Sequence, residues 1–261
     1  MTLKEFFTVH NKIALGFSGG VDSSFLLYSA IKYGADIKPY FIKTAFQPEF
    51  ELEDAMKLAS QLNIEPEIIR VDVLQNEKVT ENPKNRCYLC KHELFEKMRI
   101  LANEQNIFEI AEGSNLDDMG DYRPGLKAVA ELGIKSPLRY IGFTKQNIRD
   151  ISKYLSIPTW NKQSFACLSS RFPYGDLISK EKLMMVDRAE QLLLDLGFHQ
   201  VRVRIHGSIA RIELNPEEYG LLLEENIRSI VYQKYKEYGF SYVTLDLMGY
   251  RTGSMNEVMI V

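Results

Sequence analysis

Seven consecutive residues offer the clearest chemistry in the chain: Ser18-Gly19-Gly20-Val21-Asp22-Ser23-Ser24. The apolar run Ile13 to Phe17 before them reads as a buried strand, and Asp22 to Lys32 reads as a helix. Paired glycines let backbone N–H groups approach a phosphate with no Cβ in the way. The first turn of a helix adds unpaired N–H donors and the positive end of its dipole. Ser18, Ser23 and Ser24 supply hydroxyls. Asp22 would repel phosphate unless a cation came between them, which points to Mg²⁺. A Ser/Asp cap after a glycine turn is the plain alternative. The complete motif at the end of the first strand favours the phosphate site. There is no Gly-Lys-Ser/Thr, so the loop is not a Walker A sequence.

Two further groups could do chemistry. Cys87 and Cys90 form a Cys-x-x-Cys, and Cys167 directly precedes Leu168-Ser169-Ser170-Arg171. In a chain without an export signal these read as reduced thiols for metal or redox work rather than disulfides. A zinc site on the pair and buried inert thiols are the alternatives. Arg202 and Arg204 lie two apart on an alternating segment, hence on one face, with Val201, Val203 and Ile205 opposite. Guanidinium forks suit phosphate and carboxylate; a solvated charged strand face is the competing reading. His10, His199 and His206 show no metal-ligand spacing, Trp160 reads as packing, and Asp117 and Asp118 as an acidic solvated loop.

The elements around these residues alternate in the first half. Asp36 to Ile42, Glu67 to Val71 and Ile107 to Ala111 read as strands, and Glu51 to Leu62 and Asn85 to Glu104 as helices. This predicts an α/β fold: a parallel sheet with helices on both faces and ligands at the carboxyl ends of the strands. Ser114 to Leu138 reads as a loop with a short helix at Leu126 to Glu131, and Thr144 to Leu155 as a helix. Ile157 to Gly175 has few periodic apolar residues and reads as a functional linker. Beyond it the pattern changes to a helix (Ser179 to Leu196) and a hairpin, Gln200 to His206 with Ile209 to Leu214. A helix (Glu217 to Tyr238) and a strand (Tyr242 to Leu247) complete a smaller C-terminal α+β domain. The expected division is residues 1–170 for nucleotide chemistry and 176–261 for substrate binding and oligomerisation.

Composition narrows the classes. The chain has 261 residues, 45% hydrophobic and 26% charged, with a net charge of −3 and three cysteines. That is ordinary globular material with a sizeable core. No apolar run reaches membrane-span length, Met1 to Asn11 is not a signal peptide, and the mild acidity argues against wholesale nucleic-acid coating.

The loop Ser18 to Ser24 resembles the PP-loop, Ser-Gly-Gly-x-Asp-Ser, of ATP pyrophosphatases. Those enzymes cleave ATP between the α and β phosphates, form a substrate–AMP intermediate and release pyrophosphate. Three more segments extend the likeness: Asp121 to Lys127, Ser169 to Gly175, and Val201 to His206 continuing into Ala210 to Leu214. Together they resemble the LarE family over nearly the whole chain.

The resemblance implies an adenine nucleotide α-hydrolase-like fold. It implies an ATP-dependent sulfurtransferase that adenylates a carboxylate of pyridinium-3,5-biscarboxylic acid mononucleotide and turns it into a thiocarboxylate. The product leads to the nickel-pincer nucleotide cofactor of lactate racemase. By the same likeness Ser18, Gly19, Gly20, Asp22, Ser23, Ser24 and Gly113 hold ATP. Asp22, Cys167, Ser170 and Arg171 are catalytic, and Arg202, Arg204, Glu190, Glu213 and Arg251 hold substrate.

In one LarE subtype a single cysteine gives up its own sulfur. That position holds Ala166 here, and Cys167 is the next residue. Related PP-loop thiolases of transfer RNA use three-cysteine clusters, which implies a 4Fe–4S cluster on Cys87, Cys90 and Cys167. One iron then stays open to a sulfide. The expected partners are the pyridinium nucleotide, a sulfide donor and further copies of the chain, in the cytoplasm, without RNA or membrane. A transfer RNA thiolase and a non-catalytic nucleotide or redox sensor are the alternatives.

Overall fold

A computed structural model describes residues 1–120, 124–163, 166–251 and 254. Residues 121–123 of the Asp121 to Lys127 segment lie outside them. In chain order the first elements are α1 (Leu3–Val9), β1 (Lys12–Gly16), α2 (Val21–Lys32), β2 (Asp36–Lys43), α3 (Glu49–Gln61), β3 (Glu67–Arg70) and α4 (Glu77–Thr80). Next come α5 (Arg86–Glu104), β4 (Ile110–Ala111), α6 (Gly125–Glu131), α7 (Pro137–Ile141) and α8 (Lys145–Tyr154). The last are α9 (Lys180–Asp195), β5 (Arg202–His206), β6 (Ile209–Glu213), α10 (Tyr219–Leu223), α11 (Glu225–Tyr238) and β7 (Tyr242–Leu245).

The chain forms two compact units, residues 1–73 with 85–165, and residues 74–84 with 166–261. In the first, four parallel strands run in the order β3-β2-β1-β4. Strand alternation sends residues to opposite faces. Ile13, Leu15 and Phe41 pack with Phe25 and Leu26 of α2, Ala55 and Leu58 of α3 and Ile148 of α8. Ala14, Tyr40 and Ile69 pack with Phe95, Met98 and Ala102 of α5 and Val129 of α6. The expected parallel sheet with helices on both faces is therefore present. The chain leaves β1 toward β2 on one side and returns to β4 on the other. That reversal of strand order opens a crevice at the carboxyl ends of β1 and β4.

The second unit holds a three-stranded sheet, β5-β6-β7, with β5 and β6 antiparallel and β6 and β7 parallel. Its core joins Leu183, Val186, Ala189 and Leu193 of α9 to Val203, Ile205, Ala210, Ile212 and Tyr235, all buried. The Tyr235 hydroxyl donates to the Ala189 carbonyl at 2.9 Å. The helix expected over Glu217 to Tyr238 is broken: Glu224 is extended (φ −57°, ψ 137°) and caps the start of α11. No helix here is long and apolar enough to cross a membrane, among the described residues.

Candidate functional site

The crevice of the first unit is a cleft of about 520 Å³. Its walls include Phe17, Ser18, Gly20, Asp22 and Ser23 after β1, Ile42 at the end of β2 and Gln47 beyond it, and Glu112 to Asn115 after β4. Gly20 is the N-cap of α2 and provides no side-chain cap. The first-turn N–H groups of α2 are thus left to whatever enters the cleft. Gly19 has φ +68°, and a Cβ there would stand 2.7 Å from Ala55 Cβ and 2.8 Å from its Cα. The loop can lie this close to α3 only as glycine. A Cβ on Gly113 would meet the Ser23 nitrogen at 3.0 Å, so β4 also closes on the loop backbone. Ser18 and Ser23 hydroxyls are 3.1 Å apart. Ser24 is buried and donates to the Gly20 carbonyl at 2.6 Å, which stiffens the turn.

Asp22 lies in the first turn of α2 and faces the cleft. Lys145 Nζ sits 2.6 Å from Asp22 Oδ2, and Asn115 Nδ2 donates to Oδ1 at 3.4 Å. Lys145 opens α8 behind a Thr144/Asn147 capping box, and its N–H donates to Asp117 Oδ2 at 2.8 Å. Asp118 Oδ2 accepts from the Asn115 N–H at 2.9 Å. Both aspartates therefore shape the cleft wall. Glu112 is buried, accepts from Ser114 Oγ at 2.7 Å and Ser136 Oγ at 2.5 Å, and lies 4.0 Å from Lys91 Nζ. Lys91, Glu112, Asn115 and Lys145 escaped the sequence reading. A cation meeting an acid more than a hundred positions away leaves no local spacing to find. Tyr40 is buried in the cleft wall, with no partner for its hydroxyl among the described residues. Burial first, and Glu67 second, push it up to about 12.

In the second unit the expected substrate residues come together, but as ion pairs. Arg171 is fully buried and grips Glu190 with two bonds, Nε to Oε1 at 2.8 Å and Nη2 to Oε2 at 2.7 Å. Arg204 grips Glu213 likewise at 3.1 and 3.0 Å, and also donates to the Ser170 carbonyl at 2.7 Å and Ser254 Oγ at 3.0 Å. Arg211 reaches Glu213 at 3.0 Å, and Arg251 reaches Asp246 at 3.4 Å. Arg202 donates to the Val201 carbonyl at 2.6 Å and lies over the Tyr250 ring. The solvated-face reading of Arg202 and Arg204 is overturned, because both are 5% exposed.

Burial opposes the charge on Arg171, but the Glu190 carboxylate, with lesser help from Cys167 and Tyr250, leaves it above its ordinary value. For Arg202, burial first, and the Arg171 charge second, pull it down. Arg171, Arg204, Arg211 and Arg251 pair with Glu190, Glu213 and Asp246, and Arg202 lies beside them, an array of guanidinium and carboxylate groups within the second unit.

Cys87 and Cys90 stand one turn apart in the first turns of α5, Cys87 exposed and Cys90 less so. Arg86 Nη2 lies 3.7 Å from Cys87 Sγ. Cys167 is exposed and belongs to the second unit, with Sγ 2.8 Å from Ser169 Oγ. Within each unit the described residues hold no group of three His, Cys, Asp or Glu side chains placed to bind a metal.

No protein-family model matches the chain. It is 40% identical over 260 residues to an uncharacterized protein of Synechocystis sp. (strain ATCC 27184 / PCC 6803 / Kazusa), spanning 98% of this chain and 96% of that one. A second relative, 34% identical over 250 residues, is the pyridinium-3,5-bisthiocarboxylic acid mononucleotide synthase of Lactiplantibacillus plantarum. The match spans 95% of this chain and 90% of the synthase. A local match, 33% identical over 84 residues, joins 27% of the chain to 24% of the tRNA-specific 2-thiouridylase MnmA of Thermotoga petrophila. The parallel sheet and its Ser-Gly-Gly loop are thus a PP-loop fold. Its likeness to the synthase runs from end to end, and the chain belongs to the LarE family.

Proposed function

We propose that this chain inserts sulfur into pyridinium-3,5-biscarboxylic acid mononucleotide at the expense of ATP, by way of an acyl-adenylate. The observation that carries the reading is the uncapped start of α2, with Asp22 facing the cleft between β1 and β4. The donors there fit a triphosphate, and a single carboxylate fits Mg²⁺, which is held by one or two acids plus substrate phosphates. Ser18, Ser23 and the loop N–H groups hold the outer phosphates, while Asp22 is the protein's ligand to the metal. Lys145 then moves from Asp22 to phosphate oxygen. Mg²⁺ itself supplies charge neutralisation.

The substrate carboxylate attacks the α phosphorus, the bond to the β phosphate breaks, and pyrophosphate leaves. A hydrosulfide equivalent then replaces AMP, giving thiocarboxylate, AMP and a proton. Adenylation is needed because oxide is a poor leaving group and AMP a good one. Catalysis is mostly positioning and charge neutralisation. The guanidinium forks of Arg202 and Arg251 are of the type that suits the substrate's phosphate, with Arg171 and Arg204 held in place by Glu190 and Glu213.

Cys87, Cys90 and Cys167 are thiols of the chemical type that would hold a 4Fe–4S cluster; Cys87 and Cys90 stand one turn apart on α5, and Cys87 and Cys167 are exposed. Bound there, such a cluster would supply the sulfide that the thiolation consumes. Anaerobic reconstitution should load about four iron atoms per chain, and excess sulfide, ATP and substrate should give many products per chain. Each single Cys→Ala variant should lose iron and thiolation yet still release pyrophosphate. Yield that stops at one product per chain, with the protein lighter by one H₂S, would make Cys167 a consumed donor. Stoichiometric zinc without iron uptake would make the cysteines structural. Substitution of transfer RNA for the pyridinium nucleotide in the same assay tests the thiolase alternative that the local likeness suggests.

A further inference from the structure

The carboxyl end of β2 projects past β1. Phe17 N–H donates to the Tyr40 carbonyl at 2.9 Å, and after Phe17 the chain has turned into the phosphate loop. Lys43 points the other way, its carbonyl accepting from Val71 N–H at 3.0 Å. Backbone groups of a parallel strand serve its two neighbours alternately. Ile42 and Thr44 therefore face the side that β1 has vacated, over the cleft. The Ile42 carbonyl and the Thr44 N–H are an acceptor and a donor with no strand to meet, and such groups need partners.

One side chain satisfies both. Gln47 Nε2 donates to the Ile42 carbonyl at 2.9 Å, and Gln47 Oε1 accepts from the Thr44 N–H at 2.8 Å. Gln47 and Ile42 both line the cleft beside the phosphate loop. The buried Lys43 ammonium donates to the Gln47 and Pro48 carbonyls, each at 3.2 Å, and so steadies the loop backbone. A primary carboxamide presents one N–H donor beside one acceptor. The amino-pyrimidine edge of adenine presents the same pair, the N6 amino group beside N1.

We propose that the Gln47 carboxamide is an internal stand-in for the adenine edge: it occupies Ile42 and Thr44 in the nucleotide-free protein, and the incoming base displaces it. This rests on the reading of the cleft as an ATP site. The strand end stays satisfied without ligand, and apparent ATP affinity is lowered by the fraction of molecules in which Gln47 is engaged. With Gln47 engaged in nine molecules of ten, its removal tightens ATP about tenfold. A side chain that merely capped a turn would have the opposite effect on removal, or none.

The test is calorimetric titration of the full chain with ATP and with inorganic tripolyphosphate, which has no base. Gln47→Ala should bind ATP about tenfold more tightly with tripolyphosphate affinity unchanged. Gln47→Met fills the loop without either bond and should show the same gain should the alanine variant fail to fold. Thr44 amide exchange should speed up in the nucleotide-free variants and slow again with ATP. Unchanged or weaker ATP binding in a folded variant overturns the inference. Wild-type protein that binds no ATP at all overturns the inference and the cleft reading together.

Discussion

The Asp22→Asn protein should fold normally and release pyrophosphate on the order of 10² to 10³ times more slowly. The carboxylate's contribution to stability is small. Its partner Lys145 and Asp22 are part-exposed, 29% and 22%, and such pairs contribute roughly 1 kcal/mol or less. Its interaction with the start of α2 adds about 0.3–1 kcal/mol. Asparagine keeps the shape and can still meet Asn115. What it lacks is the charge that would hold a divalent cation against phosphate in the proposed reaction. Stopped-flow pyrophosphate release at saturating ATP checks the rate, and thermal melting checks the fold. A variant with wild-type turnover would remove Asp22 from the chemistry.

Arg171→Met should destabilise the second unit by about 3–5 kcal/mol, because Glu190 is left charged and buried without its counter-ion. Glu190 Oε1 also accepts from the Val203 N–H at 2.8 Å, so the orphaned carboxylate cannot leave without loosening the start of β5. The paired change, Arg171→Met with Glu190→Gln, should cost less than the single change, since the orphaned carboxylate is gone. Denaturant melts of the wild type and the two variants decide this. Equal loss in both variants would mean that packing around the methionine, and not the ion pair, sets the cost. The same pairing explains why Arg171 and Arg204 sit where solvent does not: the carboxylates hold their forks at fixed angles.

The fold was legible where local pattern and tertiary fate agree. Ile13 to Leu15, the glycine pair and the helix behind them read correctly because a buried parallel strand is continuously apolar and a phosphate loop needs glycine. Helix α5 and the β5–β6 hairpin were legible for their periodicity. Helix α1 lies outside the alternating pattern and is spelled only by its capping box, Thr2 with Glu5, with both bonds formed. The break at Glu224 has neither glycine nor proline to mark it. Leu74 to Lys84 joins the second unit through bonds that only folding makes: Asn82 Nδ2 donates to the Pro173 carbonyl at 2.6 Å, and Ile178 N–H to the Thr80 carbonyl at 2.8 Å.

The candidate site divides in the same way. Asp22, Ser18 and Ser23 announce themselves in one contiguous motif. Lys145 does not, because its meaning comes from a carboxylate 123 positions earlier. Glu190 and Glu213 could be marked as acids near the site, but their task, bracing Arg171 and Arg204, depends on a hairpin and a helix packing together.

The central claim is sulfur insertion into a pyridinium carboxylate driven by ATP cleavage to AMP and pyrophosphate. The direct measurement is an anaerobic reaction of the full chain with ATP, Mg²⁺, sulfide and pyridinium-3,5-biscarboxylic acid mononucleotide. AMP, pyrophosphate and the product's mass are followed together. The expected result is AMP and pyrophosphate in equal amounts, formed only with the pyridinium nucleotide, and a product in which oxygen has been exchanged for sulfur. Pyrophosphate release that is indifferent to the pyridinium nucleotide, or that requires RNA, would contradict it.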